Sequence, residues 1–446
     1  MRTFFSILAL LSVSTSVFSG EAAFDQLNAR AQARPPAIQS AAPDERIAPA
    51  SKPVRRAAGI GISHAGDPFD IPDFTIPEIA RMVKAAGATH YRAHIPLKEV
   101  MPVLSAGDMT RLGKAVRSPA LMEKMTGELS RSNAWRRIDA LTDAFSQNGI
   151  RLIFVVGCGY AKEEPLFRGD GGAMVPASPG GIGREKYLAM VRWLVGAAAR
   201  RYGDRVEVWQ VENELNIAWV VSVVNWRVPD EAWTDTGYCR QLLKTMADTV
   251  HEEGARLGKK LKATHNFATG LPWQPYTKDS DADDTLSRIK GLASGPELDI
   301  IGIDLYENYF YSHPLQLDRS ADFVKRMVKD YPGKPVWVLE TGYARGPKER
   351  GFTDKAQTDY FSSIFDSCYE AGAEMVLAFG WFYNPKGWWN STGELPPPWH
   401  PLAVEPYWSP LKVSHGPDGA RQIEYGKAWD ELGKASRKWV GKDGAE

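Results

Sequence analysis

Two glutamates follow apolar runs far apart in the chain. Val206-Glu207-Val208-Trp209-Gln210-Val211 leads into Glu212-Asn213-Glu214-Leu215-Asn216, and Val336-Trp337-Val338-Leu339 leads into Glu340-Thr341-Gly342. Two carboxyl groups can divide labour: one carries a proton to a leaving atom, and the other, ionised, attacks as a nucleophile. Other apolar runs also end in polar or aromatic residues, among them Arg92 and His94, Asp304 and Tyr306, and Trp381. Each has a plainer reading. A Glu after a strand can be a solvated turn residue, Arg92 a salt bridge at a rim, and His64, His94 and His265 hydrogen-bonded structural histidines.

What must position these residues is a repeating pattern. Apolar runs at 57–63, 89–95, 150–156, 205–211, 260–265, 298–305, 335–339 and 374–380 predict eight strands. Helical patterns at 76–86, 135–148, 187–202, 237–257, 321–329 and 356–371 interleave with them, and 423–439 reads as a closing helix. Strands alternating with helices imply parallel pairing through right-handed crossovers. Eight such units predict an α/β fold, a closed (β/α)8 TIM barrel with long βα loops, whose site lies where the strands end. The segment 101–130 reads as a large loop.

On these motifs the chain resembles the retaining glycoside hydrolases of clan A, over roughly Gly59 to Trp439. Asn213-Glu214 is similar to the clan's Asn-Glu step after strand four, and Asn216 takes its common following Asn position. Glu340-Thr341-Gly342 is similar to the nucleophile strand. Arg92, Tyr306 and Trp381 match the arginine, tyrosine and tryptophan after strands two, six and eight. Two departures stand out: Leu215 where many members carry Pro, and Glu212 where members often carry a neutral residue.

The resemblance implies a double displacement with Glu340 as nucleophile and Glu214 as acid/base. A retaining enzyme holds the two carboxyls ~5–5.5 Å apart, whereas an inverting one leaves ~6.5–9.5 Å for water. Arg92 beside Glu340 would favour its ionised form, and the Tyr306 hydroxyl would hold its oxygen. Asn213 would bond the sugar 2-OH, and Trp381 would floor the subsite. In a regular strand Glu212 and Glu214 share a face and Asn213 points outward, so these roles require a bulge.

Composition narrows the partners. Among 446 residues, 54 basic and 54 acidic side chains leave no net charge, which argues against nucleic acid as a partner. The 15 Trp, 16 Tyr and 17 Phe exceed what a core comfortably takes, so part of them should line a cleft. Trp219, Trp226, Trp233, Trp273, Tyr276, Trp388, Trp389, Trp399, Tyr407 and Trp408 follow the site strands and predict sugar-stacking walls; packing between loops is the rival explanation. The expected partner is a poly- or oligosaccharide, with neutral polysaccharide favoured and no cofactor or metal expected.

Residues 1–20 read as a secretory signal and 21–55 as a flexible leader, so residues 56–446 form the expected catalytic domain of an exported, periplasmic or extracellular protein. No membrane span is expected in the mature chain. Cys158, Cys239 and Cys368 form no CxxC pair and are expected as buried, unpaired thiols. Three other readings stay open: a carbohydrate-binding barrel without catalysis, a transglycosylase using the same site, and a metal-dependent barrel enzyme.

Overall fold

The computed structural model describes residues 57–64, 69, 71, 73–157, 166–168, 174–217, 231–269, 284–382, 398 and 403–441. The signal and leader segments, Cys158, Trp219, Trp226, Trp273, Tyr276, Trp388, Trp389 and Trp399 lie outside the described residues.

Eight strands close a barrel: β1 (Gly59–Ser63), β2 (His90–Ile95), β3 (Arg151–Val156), β4 (Val208–Val211), β5 (Lys262–Ala268), β6 (Ile300–Leu305), β7 (Val336–Thr341) and β8 (Met375–Phe379). Going round, the order is β1-β8-β7-β6-β5-β4-β3-β2, and every neighbouring pair is parallel. Eight principal helices surround it: α1 (Ile76–Ala85), α2 (Arg136–Gln147), α3 (Arg184–Tyr202), α4 (Thr236–Arg256), α5 (Asp284–Leu292), α6 (Leu317–Asp330), α7 (Asp354–Glu370) and α8 (Ala428–Trp439). This is the (β/α)8 barrel the alternating pattern predicts.

Local chemistry starts several helices. The Thr75 amide donates to Glu78 (2.8 Å) in a capping box ahead of α1. The Asp235 carboxylate accepts from the Tyr238 amide at α4, and the Thr353 hydroxyl from the Ala356 amide at α7. Strand side chains then sort by alternation. Inward residues Ile153, Val208, Ile300, Trp337, Leu339, Met375 and Leu377 pack together inside the barrel. Outward ones join the larger core beneath the helices.

Three expectations change. The segment 101–130 contains two helices, Ala106–Ala115 and Pro119–Ser130, the first begun by Ser105 and Asp108 in a capping box. The closing helix starts at Ala428; ahead of it, Leu411–His415 and Arg421–Tyr425 pair as an antiparallel hairpin that takes up the first residues of the helix expected from 423. Helix α5 was not expected between β5 and β6. Cys239 and Cys368 are buried and free, as predicted. Among the described residues no helix is long and apolar enough to cross a membrane.

Candidate active site

Both glutamate-bearing strands break their alternation where they reach the mouth of the barrel. In β4, Val208 and Gln210 point inward, so regular geometry would send Glu212 inward next. Instead Glu212 and Glu214 adopt left-handed backbone, φ 58° and 44°, a conformation disfavoured for residues with a Cβ. The Glu212 carboxyl is fully buried against Gly157, and the turn carries the Asn213 side chain inward. In β7, Trp337 and Leu339 point inward, yet the register against β6 slips between Val338 and Glu340. The slip brings Glu340 inward and leaves Thr341 bonded to Tyr360 of α7 (2.6 Å). In place of the expected bulge, β4 ends at Val211 in a turn with positive φ at Glu212 and Glu214, while a register slip serves Glu340.

Neighbouring β5 holds the first irregularity in place. The Leu215 amide donates to His265 Nε2 (3.2 Å), so the other ring nitrogen carries the proton and donates to the Val211 carbonyl (2.7 Å). The Asn266 Oδ1 accepts from the Glu214 amide (3.1 Å). Asn216 exchanges two bonds with the Ala268 main chain. Strand β5 thus clamps residues 211–216 from end to end.

Arg92, fully buried on β2, is the hub of the site. Its Nε donates to Gln210 (2.7 Å), its Nη2 to Asn213 Oδ1 (2.8 Å), and its Nη1 to Ser63 (2.7 Å) and Glu340 Oε1 (2.5 Å). The Tyr306 hydroxyl donates to the other Glu340 oxygen at 2.6 Å. Asn213 Oδ1 also accepts from Gln210 (3.2 Å) and Asn266 (2.8 Å), which fixes its amide nitrogen toward Glu214, 3.4 Å away. Asp304 of β6 completes the ring, accepting from Asn266 Nδ2 at 2.5 Å.

Electrostatics follow from this packing. Burial opposes the charge of Arg92, but the carboxylates of Glu340 and Asp304 outweigh it and the guanidinium is held more firmly protonated. Burial, then the charge of Glu340, lifts the Tyr306 phenol well above its usual range, so it stays a donor. Burial lowers His265 to about 4, which keeps its ring neutral.

Of the residues expected to act, Arg92, Asn213, Glu214, Tyr306 and Glu340 come together. Of the polar side chains after β6, Tyr306 is the one that reaches Glu340, whereas Asn308 ties its own loop at Tyr311, Pro314 and Gln316. Trp381 does not join them. Gly380 turns the chain with φ 73°, and the buried Trp381 ring lies against Phe361 of α7 and Trp429 of α8. The inward aromatic of β8 is Phe379, edge-on to Tyr306 (5.5 Å) and to Trp408 (5.7 Å). Gln210, Asn266 and Asp304 were not anticipated as site residues; counting inward parity back from the strand ends would have found all three. Among the described residues no group of three or more His, Cys, Asp or Glu is arranged to hold a metal ion.

A closed parallel barrel with a buried charged network at the carboxyl ends of its strands defines the class: a (β/α)8 barrel with an enzyme-type site at its mouth. No protein-family model matches the sequence, and no curated protein matches it. Solved structures share the fold. Fpglu1 from Fervidobacterium pennivoraus superposes with TM-score 0.58 at 10% identity, covering 85% of this chain and 95% of its own. A hyperthermophilic β-glucosidase from Pyrococcus furiosus gives 0.57 at 13% identity, with 83% and 85% covered. A family 39 glycoside hydrolase from Bacteroides cellulosilyticus gives 0.50 at 14% identity, with 86% and 64% covered. The chain shares its barrel with these proteins.

Proposed function

We propose that this protein is a retaining glycoside hydrolase acting on β-linked oligo- or polysaccharide. The observation that carries the reading is the grip on Glu340: a buried guanidinium on one oxygen and a phenol on the other, with Asn213 and Glu214 in the same network. Two donors on a buried carboxylate fix its oxygens and leave its remaining lone pairs for an electrophilic carbon.

In the first step a Glu340 oxygen attacks C1 of the sugar. The C1–O bond to the leaving group breaks as Glu214 delivers its proton to that oxygen. A glycosyl ester on Glu340 and an ionised Glu214 result. Glu214 then takes a proton from water, whose oxygen attacks C1 and releases Glu340. The three donors on Asn213 Oδ1 orient its amide so that an N–H can serve the sugar 2-OH, a contact that strengthens in the transition state. The aromatic floor beneath the sugar is assigned to the half-buried Phe379 in place of the buried Trp381. The barrel shared with a β-glucosidase and a family 39 glycoside hydrolase supports the class of reaction.

The chain's neutral charge favours a neutral polysaccharide, and residues 1–20 favour export to the periplasm or beyond. Amino-terminal sequencing of secreted material tests export. A screen of β-linked polysaccharides and aryl glycosides tests the activity. Glu214→Ala should lose turnover on poor leaving groups and regain it with azide. Unchanged product formation by Glu340→Gln would remove Glu340 from the mechanism.

A further inference from the structure

The barrel mouth holds more acids than a two-carboxylate reaction uses, Asp304 among them. Asp304 lies on β6 at an inward position, two residues before Tyr306, and is fully buried. Its Oδ2 accepts from Asn266 Nδ2 at 2.5 Å, while its Oδ1 meets no hydrogen-bond partner among the described residues. Charged groups face it from three strands: Glu340 on β7, Arg92 on β2 and Glu214 after β4. The neutral Asn266 meets it from β5.

One cation serves this layer. Arg92 spends its contact on Glu340 at 2.5 Å, and among the described residues no arginine or lysine bond to Asp304 is present. An ionised Asp304 would add an unneutralised charge at a fully buried position beside the Arg92–Glu340 pair, with a single donor among the described residues to solvate it. Burying such a charge costs far more than burying the neutral acid. We infer that Asp304 is a neutral carboxylic acid in the working enzyme, a positioning residue that orients Asn266 without adding negative charge to the site. Burial, followed by the charges of Glu340 and Glu214, pushes its carboxyl well above the usual range, in the same direction.

The consequence runs through Asn266. Its Nδ2 spends both hydrogens, on Asp304 and on Asn213 Oδ1, and its Oδ1 accepts from Gln210 (2.6 Å) and the Glu214 amide. An amide with all four positions used has one orientation. Asp304 supplies the acceptor that prevents Asn266 from flipping, and Asn266 in turn sets Asn213 and the turn that carries Glu214. The effect on turnover rests on the glycoside hydrolase reading; the protonation state does not.

Carbon-13 NMR of the protein labelled at its aspartate carboxyls tests the protonation directly, without substrate. One resonance should remain at the acid position at neutral pH and move in Asn266→Ala; finding every aspartate ionised overturns the inference. Turnover tests the positioning role. Asp304→Asn, neutral and of the same shape, should stay within about threefold of the native rate with an unchanged pH profile. Asp304→Ala, lacking the acceptor, should lose about tenfold or more in kcat. If Asp304→Asn shifts the pH profile, or loses as much as Asp304→Ala, the acid is working in its ionised form and the inference fails. A protein that hydrolyses no glycoside yet keeps the acid-form resonance refutes the function and leaves Asp304 neutral.

Discussion

Arg92 and Glu340 stand 248 positions apart in sequence and 2.5 Å apart at the mouth of the barrel. The guanidinium is fully buried and the carboxylate nearly so, with 0% and 8% side-chain exposure. The pair cannot be treated as a surface ion pair, whose removal would matter little.

Removing the cation while keeping much of its volume, as in Arg92→Met, should leave Glu340 buried without its counter-charge and Ser63, Gln210 and Asn213 without their donor. The expected cost is about 3–5 kcal/mol in denaturant unfolding, together with loss of activity. Arg92→Lys should recover part of the stability and little of the activity, because an ammonium cannot span Gln210, Asn213 and Glu340 at once. Equal behaviour of Lys and Arg would show that charge alone suffices.

Tyr306→Phe deletes one hydroxyl and keeps the ring against Phe379 and Trp408. A hydrogen bond to a charged group contributes about 1.5–3 kcal/mol, so kcat should drop roughly ten- to hundredfold. The thermal midpoint should move little. Measuring kcat and unfolding on the same preparation separates the two effects; an unchanged kcat would detach the Tyr306–Glu340 bond from turnover.

His265 predicts an acid-side instability. Its folded-state value of about 4 lies below the ordinary 6.5, so the native state binds the proton more weakly than the unfolded chain. Stability from the neutral ring is therefore complete above about pH 6.5 and is lost as pH falls from there toward 4, by on the order of 3 kcal/mol. His90, lowered to about 3 by burial, adds to the same loss. A glutamine at 265 can donate to Val211 and accept from Leu215 without titrating. Unfolding midpoints of His265→Gln should fall less steeply between neutral pH and pH 4 than those of the native protein.

Gly157→Ala should disturb the site from outside it. Gly157 has φ 104°, and a Cβ there would lie 2.7 Å from the Glu212 carboxyl. Strain and collision together should destabilise the fold by about 1–3 kcal/mol and displace the turn that holds Glu214. Loss of stability with kinetics unchanged would mean that Glu212 yields without moving its neighbours.

The sequence by itself determined much of this protein. Alternating apolar strand and helix patterns specified eight βα units, because a strand followed by an amphipathic helix can bury its faces in few ways. With the units known, Arg92, Asn213, Glu214, Tyr306 and Glu340 could be placed at the mouth from the runs they terminate. Other features were decided only by tertiary structure. Regular alternation points Glu212 and Thr341 inward; the turn that brings in Asn213 and the register slip that brings in Glu340 depend on clamps from His265 and Asn266 and on the pairing with β6, partners distant in sequence. Trp381 sits in the helical shell because Gly380 turns the chain after Phe379, and no local pattern marks which of the two aromatic rings faces the barrel. Asp304 and Asn266 stand in the mouth because neighbouring strands set Asp304 level with Glu340 and bring Asn266 within bonding distance of Asp304, a closeness created by barrel closure and not by spacing along the chain.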